Sequence, residues 1–175
     1  MDYDDDDEPL PYLDPSFSYL EHVYSLLQSL LSNEYLTDTV LSPFLSLSFI
    51  SQLCSNFRSL DKREQGLVKT SIHRMYAKCA SKRPLIRSSL QQLFLDVVYC
   101  DSPTTGLNEM IGFYNLILKG ISVPIHQDHI FYLKHCVLPL LKKPRLEDFF
   151  VVMNQCFRII LGKDSTLSVC VGGFT

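Results

Sequence analysis

Apolar residues recur at intervals of three and four along most of this chain, which is the spacing that places side chains on one face of an α-helix. Residues 101–106 and 142–144 interrupt this pattern with amino acids that favour turns. No segment alternates apolar and polar residues at period two over a useful length, so a β-sheet is not predicted. The pattern predicts helices over 19–31, 41–47, 49–57, 85–98, 107–121, 128–141 and 145–161. It also predicts a helix that carries 69–76 and begins at a cap at 59–61.

Seven or eight helices of ordinary length, joined by short breaks, predict an all-α fold built from antiparallel helix pairs. In an α-solenoid of this kind each pair buries its apolar face against the next pair. A compact helical bundle fits the same pattern, and the pattern alone does not separate the two. The predicted domain spans 15–166, after an acidic disordered leader at 1–14 and before a frayed end at 167–175, where Gly172 and Gly173 oppose helix formation.

The net charge of -3 is unevenly distributed along the chain. Residues 1–14 carry seven acids and no base, so the rest of the chain sums to +4 (-3 plus 7). A run of like charges repels itself and buries little apolar surface, which is why the leader is expected to be disordered. The pI of 5.9 and the acids interleaved among the basic residues of 58–87 argue against a third function considered, a nucleic-acid-binding repeat.

Composition excludes several other classes of protein. No apolar run reaches the roughly 18 residues that span a bilayer, and the acidic N-terminus does not resemble a signal peptide. The six cysteines include no Cys-x-x-Cys pair, which favours reduced, mostly buried thiols in a cytoplasmic or nuclear protein. The sequence also lacks a phosphate-binding loop and a nucleophile motif, so catalysis by this chain is not predicted.

His126 and His129, with Asp128 between them, have the residue types of a metal site. No third or fourth ligand follows at a familiar spacing, so the signal is weak. Neither a metal nor another cofactor is therefore predicted.

The segment 69–76, followed by Arg83, carries the residues most suggestive of function. As a helix it places Lys69, His73 and Tyr76 along one face, because residues three and four positions apart lie on neighbouring turns. Arg74 lies beside them. Several donors and an aromatic ring on one surface suit an acidic, partly apolar peptide. Taken alone, the same residues also fit a solvated helix face with a packing tyrosine.

This segment resembles the B-prime family of regulatory subunits of protein phosphatase 2A. The resemblance runs without an obvious gap and rests on matches at 7–9, 61–64, 69–76, 84–87, 106–107, 118–124, 128–129, 138–140 and 163–166. It implies HEAT-like repeats, of which this chain would hold about three. The implied function is substrate recruitment, since the family docks short acidic motifs of the form Leu-x-x-Ile-x-Glu in complexes with phosphatase scaffold and catalytic subunits.

The resemblance also implies a site for such motifs. Phe113 and Ile117 lie one turn apart and would form its apolar floor. Phe113 is aromatic where the family typically has an aliphatic residue, and His126 replaces a lysine. The implied site residues are Lys69, His73, Arg74, Tyr76, Arg83, Phe113, Ile117, His126 and His129.

The family's solenoid continues well beyond the length of this chain. An alternative function therefore stays open, a stand-alone motif-binding or decoy module that does not enter the phosphatase complex. Whether the chain is a fragment or a complete product stays open as well.

Overall fold

The computed structural model of this chain describes residues 11–168, so 1–10 of the predicted leader and 169–175 of the predicted frayed end lie outside the described residues. Within 11–168 there are eight α-helices and no β-strand, which confirms the all-α prediction. The helices are α1 (Phe17–Ser32), α2 (Asp38–Leu41), α3 (Leu47–Ser55), α4 (Lys62–Lys78), α5 (Arg83–Tyr99), α6 (Leu107–Gly120), α7 (Gln127–Tyr132) and α8 (Phe150–Lys163).

The helices stack in two layers. In one layer α1 packs on α4, α4 on α6, and α6 on α8. In the other layer α3 packs on α5, and α5 packs on the π-helical turn Leu133–Val137 that follows α7. The helices of each layer thus pack against the next helix of that layer, which is the arrangement of a helical-repeat solenoid. None of the helices in the described part of the chain has the length and apolarity needed to cross a membrane.

Helix α4, which carries the predicted site, begins at a side-chain cap. The Oδ1 atom of Asp61 accepts a hydrogen bond of 2.9 Å from the backbone N–H of Arg63. This contact satisfies one of the N–H groups that the first turn of a helix leaves without a partner. Residue types at 59–61 predict a cap at this point of the sequence, and the structure confirms it.

Gly106 fixes the start of α6. Its φ of 79° lies in the left-handed region that side chains disfavour. A Cβ atom at this position would also lie 1.9 Å from the backbone oxygen of Phe57. The backbone of α6 can therefore approach the end of α3 this closely because position 106 has no side chain.

Three helices begin or end several residues away from their predicted bounds, and in each case one residue explains the difference. Pro43 has no N–H to donate to the carbonyl of Thr39, so the helix that begins at Asp38 ends at Leu41 and does not continue through 41–47. Pro139 likewise follows the π-helical turn and begins a 3-10 segment, Leu138–Lys142, instead of a continuous helix to 141. Arg145 has a φ of 59°, so the last helix begins at Phe150 and not at 145.

The thiols of the described residues are free. Four of the five are buried, and the fifth, Cys100, is exposed. Burial raises the pKa of Cys54, Cys136 and Cys156 to about 12. A thiol with so high a pKa is a poor nucleophile at neutral pH. These cysteines therefore act as small core residues, as the sequence predicts.

Candidate functional site

Tyr76, near the C-terminal end of α4, is the centre of the candidate site. Its ring meets the ring of Phe113 on α6 edge to face, with the ring centroids 6.0 Å apart and the planes at 83°. Phe113 is completely buried. Edge-to-face contacts of this kind are a favourable geometry for aromatic pairs. The fixed Phe113 ring therefore sets the position of the half-buried Tyr76 ring.

Two arginines of α5 hold Tyr76 from the other side. Arg83 donates from Nε to the backbone oxygen of Tyr76 at 2.8 Å and from Nη2 to that of Ala77 at 3.3 Å. These bonds satisfy carbonyl groups of the last turn of α4. Arg87 donates from Nη1 to the hydroxyl oxygen of Tyr76 at 3.1 Å. Arg83 therefore binds the backbone of α4 and also lies over the Tyr76 ring, with its Cζ atom 5.3 Å from the ring centroid, whereas Arg87 binds the Tyr76 hydroxyl.

His129, on α7, completes this surface. Its ring centroid lies 6.5 Å from that of Tyr114 on α6. Burial and then the positive charge of Arg87 hold the pKa of His129 below its ordinary value. The charge of Arg87 thus acts on His129, although the two residues lie on different helices. We call Tyr76, Arg83, Arg87 and His129 the cationic cluster.

Arg87 has hydrogen-bonding capacity to spare. Its contact with Tyr76 is its one hydrogen bond within residues 11–168, and no carboxylate pairs with it there. A guanidinium carries five N–H donors in a planar fork. The half-buried Arg87 can therefore donate two further hydrogen bonds to a planar anion such as a carboxylate.

Lys69 and His73 lie on α4 before the cationic cluster. The ammonium group of Lys69 forms an ion pair with the carboxylate of Glu109 on α6. The Glu109 charge compensates that of Lys69, so Lys69 contributes less positive field than the sequence alone indicates. His73 is exposed at the helix surface.

Arg74 is directed to a different neighbour. Its Nη1 atom donates to the backbone oxygen of Gln28 at 3.3 Å and to the hydroxyl of Ser32 at 2.9 Å. Lys78 donates in the same region to the backbone oxygen of Asn33. Both cations therefore close the C-terminal end of α1, where helix carbonyls lack partners. The structure does not bring Arg74 to Tyr76 or Phe113.

The two residues predicted as an apolar floor belong to the core. Phe113 is 0% exposed and Ile117 is 4% exposed. A ligand side chain would contact Phe113 only if a covering side chain such as Tyr76 moved. In the conformation described, Phe113 therefore supports the cationic cluster from below.

His126 caps α7 and is exposed. Its Nδ1 atom accepts a hydrogen bond of 3.3 Å from the backbone N–H of Asp128, whose carboxylate lies 3.2 Å away. No group of three or more potential metal ligands occurs in the part of the chain that the structure describes.

Arg87 is a site residue that the sequence analysis did not select. It was considered only among the basic residues between 58 and 87, in the argument about nucleic-acid binding. Arg83 and Arg87 are four residues apart, so a helix places them on one face. That spacing is the signal by which Arg87 could have been added to the site.

The chain is similar over nearly its whole length to regulatory subunits of one phosphatase. The sequence pattern of the protein phosphatase 2A regulatory B subunit (B56 family) matches residues 1–173, which confirms the predicted resemblance. In Arabidopsis thaliana, the B' kappa isoform of the 57 kDa regulatory subunit of serine/threonine protein phosphatase 2A is 31% identical over 170 residues, or 97% of this chain and 34% of that protein.

Relatives from other kingdoms match to a similar extent. In Schizosaccharomyces pombe, the delta 2 isoform of the phosphatase 2A 56 kDa regulatory subunit is 28% identical over 95% of this chain and 26% of its own length. The phosphatase 2A regulatory subunit pptr-1 of Caenorhabditis elegans is 29% identical over 94% of this chain and 30% of its own length. The chain thus spans between about a quarter and a third of the length of these curated relatives.

Proposed function

Because the chain belongs to the B56 family of protein phosphatase 2A regulatory B subunits, we propose that it acts as a regulatory, substrate-recruiting subunit of a phosphatase 2A complex. It has no chemistry of its own in this role. It binds acidic short motifs of the form Leu-x-x-Ile-x-Glu in substrate proteins. Binding raises the local concentration of the substrate near the catalytic subunit, which speeds dephosphorylation without a new reaction step.

The observation that carries this proposal is Arg87, which is half-buried, holds the hydroxyl of Tyr76 by one hydrogen bond and keeps donors free. A carboxylate from the motif's glutamate accepts two hydrogen bonds from Arg87 and one from His129. Hydrogen bonds to a charged group in a partly dry site contribute about 1.5–3 kcal/mol each.

The aromatic ring of Tyr76 supplies the apolar part of the site. It is half-buried between the Phe113 ring and the Arg83 guanidinium, and its exposed part contacts the motif's leucine or isoleucine. Its hydroxyl is already engaged by Arg87, which holds ring and guanidinium together as one recognition surface. His73 on α4 and His126 on α7 are exposed and add donors for the acidic positions of the motif.

The test is titration of a fluorescent Leu-x-x-Ile-x-Glu peptide into the purified chain. Arg87→Gln removes the free donors and is expected to weaken binding by about 10- to 100-fold. Arg158→Gln is the matched control, because it removes the same charge from an exposed position on α8. The control should change the affinity by less than about twofold.

Arg74→Gln distinguishes two positions for the peptide. An effect below about twofold is expected, because Arg74 is engaged with α1. A loss as large as that of Arg87→Gln would show that the peptide extends toward α1. A folded chain that binds neither this peptide nor one with phosphoserine added would contradict the proposed motif docking.

Co-purification with the phosphatase scaffold and catalytic subunits tests the second half of the proposal. Peptide binding with co-purification is expected. Peptide binding without co-purification would instead favour the stand-alone motif-binding or decoy module.

A further inference from the structure

Helix α1 presents a line of large apolar side chains to solvent. The four residues are Tyr19, Val23, Leu26 and Leu30, and each is between 45% and 75% exposed. Their spacing of four, three and four residues is that of the a and d positions of a heptad repeat, so they lie in one line along the helix. Two helices that pack along such lines bury them against each other. We call these four residues the α1 seam.

The α1 seam lies at one end of the solenoid. Helix α1 is the end member of the layer formed by α1, α4, α6 and α8 within the described residues. An end helix of a solenoid ordinarily carries polar residues on its outside, because no further repeat covers it. Helix α8, at the other end of the layer, follows this rule in part, since its exposed residues include Phe150, Val151, Asn154, Gln155 and Arg158. The α1 seam has no such polar residue among its four members.

The absence of charge along the α1 seam narrows the class of partner. Helix α1 contains no lysine or arginine, and its one carboxylate is that of Glu21. A turn of 100° per residue places Glu21 about 140–180° around the helix from the seam residues, with His22 at the margin of the seam. A strongly acidic or basic partner would therefore find no ion pair along this line. A second apolar helix fits it better.

The spacing of the α1 seam also makes it self-complementary. The intervals of four, three and four read the same in both directions along the helix. A two-fold axis between residues 24 and 25 would therefore set Tyr19 opposite Leu30 of a second copy in antiparallel orientation, and Val23 opposite Leu26. Every seam residue then meets another seam residue. This symmetry favours a second copy of the chain over an unrelated helix.

Exposed apolar residues beyond both ends of α1 extend this surface. Tyr12 and Leu13 precede the helix and Tyr35 follows it, and all three are more than half exposed. An antiparallel pair would bring the start of one α1 beside the end of the other, so these residues would meet as well. Together with the α1 seam they leave of the order of 600 Å² on each chain, or about 1,200 Å² for the pair. That area is the lower limit of specific protein interfaces.

We propose that α1 is a homodimerisation helix, which pairs with α1 of a second copy in antiparallel orientation about a two-fold axis. The modest area predicts a dissociation constant of the order of 10 μM, so the dimer forms at high concentration and separates on dilution. The interface contains no residue of the cationic cluster. The inference therefore goes beyond substrate recruitment and does not depend on it.

Sedimentation equilibrium between about 1 and 200 μM tests the pairing. The wild type should approach the mass of a dimer at the upper end of this range. Leu26→Glu buries two carboxylates in the apolar interface, which should weaken dimerisation at least about 30-fold. Val151→Glu is the matched control, because it makes the same kind of change at an exposed apolar residue of α8. It should dimerise like the wild type, and circular dichroism should show that both variants are folded.

Two results of this measurement would overturn the proposal. The first is a wild type that stays monomeric at about 200 μM, which would leave the α1 seam to a different partner. The second is a folded Leu26→Glu variant that dimerises as strongly as the wild type, which would place any dimer interface elsewhere on the chain.

Disulfide trapping tests the antiparallel orientation without a charged substitution, so it also decides the matter if Leu26→Glu fails to fold. Chains with Tyr19→Cys and chains with Leu30→Cys are mixed under mild oxidation, both in a Cys100→Ser and Cys170→Ser background. Positions 19 and 30 face each other in the antiparallel pair, so the mixture should form a covalent heterodimer. Either chain alone should not, because its two introduced cysteines lie about 16 Å apart along the helices.

A chain with Val151→Cys in the same background is the control, and it should form no covalent dimer with either partner. Trapping of each seam variant with itself but not in the mixture would show a parallel pair and overturn the proposed arrangement. No trapping in any combination at about 200 μM would overturn the α1 interface itself.

Discussion

The positively charged residues on the two sides of α4 differ in the groups to which they donate hydrogen bonds. Toward α1, Arg74 and Lys78 donate to oxygen atoms at the end of that helix. Toward α5 and α6, Arg87 makes one hydrogen bond, to Tyr76, and keeps donors free. Both sides are basic in sequence. The difference lies in the acceptors, because Arg74 and Lys78 bind the end of a neighbouring helix whereas Arg87 binds a single side-chain hydroxyl.

Helix geometry explains why neighbouring residues fall on different sides. An α-helix turns about 100° per residue, so Lys69 and Tyr76 lie within about 20° of one another. Arg74 lies about 140° from Lys69 and therefore cannot share its direction. On the α1 side Arg74 and Lys78 hold helices together; on the other side Lys69 and Arg83 do the same, and Arg87 is the residue that can take a new partner.

The largest expected effect is a loss of stability from a substitution at Gly106, where α6 approaches Phe57. Gly106→Ala adds a Cβ that would lie 1.9 Å from the backbone oxygen of Phe57, at a φ of 79°. Clash and backbone strain together should cost about 2–4 kcal/mol of the free energy of unfolding. Urea denaturation followed by circular dichroism would measure it.

Gly66→Ala is the control for that substitution. Gly66 lies within α4, and a Cβ there would have no heavy atom within 4 Å. Alanine favours helix over glycine, so this variant should gain about 0.5–1 kcal/mol. A Gly106→Ala variant as stable as the wild type would show that the close approach of α6 to Phe57 is not required.

Asp61→Ala tests the α1 side, because Asp61 ties residue 14 and Arg63 to the start of α4. The charged hydrogen bonds from Arg63 hold the pKa of this buried carboxyl well below its usual range. Its contribution is present above about pH 4 and is lost as the pH falls through the lowered pKa. Loss of the cap should cost about 1–2 kcal/mol at neutral pH.

Asp61→Asn separates the two contributions of that residue. Asparagine is also a good N-cap but cannot form the ion pair with Arg63. We expect it to be more stable than Asp61→Ala and less stable than the wild type. Neither variant should alter peptide affinity by more than about twofold, because the α5 side is untouched. Strong loss of peptide binding in Asp61→Asn would link the two sides of α4.

Local signals in the sequence predicted the parts of the fold that depend on local chemistry. The cap at Asp61 and the break at Gly106 follow from residue types that favour one backbone conformation. The division of the predicted helix 128–141 also had a local signal in Pro139, although its π-helical form did not.

The candidate site was harder to predict, because it depends on which helices become neighbours. A sequence pattern places Arg74 beside His73 but does not show that α1 lies against it. Phe113 is equally apolar whether it lines a pocket or lies in the core. Arg87 became distinct from the other basic residues only when Tyr76 and His129 were placed beside it.

The smallest expected effect is a change of peptide affinity with pH, which depends on His129 on the α5 side. Burial, Arg87 and His126 lower the pKa of His129, while Asp128 opposes them. A bound carboxylate favours the charged imidazole, so binding raises this pKa and takes up a proton. The affinity should therefore rise a few-fold from about pH 8 to about pH 6, with proton uptake detected by calorimetry in two buffers. His129→Gln should reduce both effects. An affinity that is constant or falls over this range would separate His129 from the bound carboxylate and leave Arg87 as its partner.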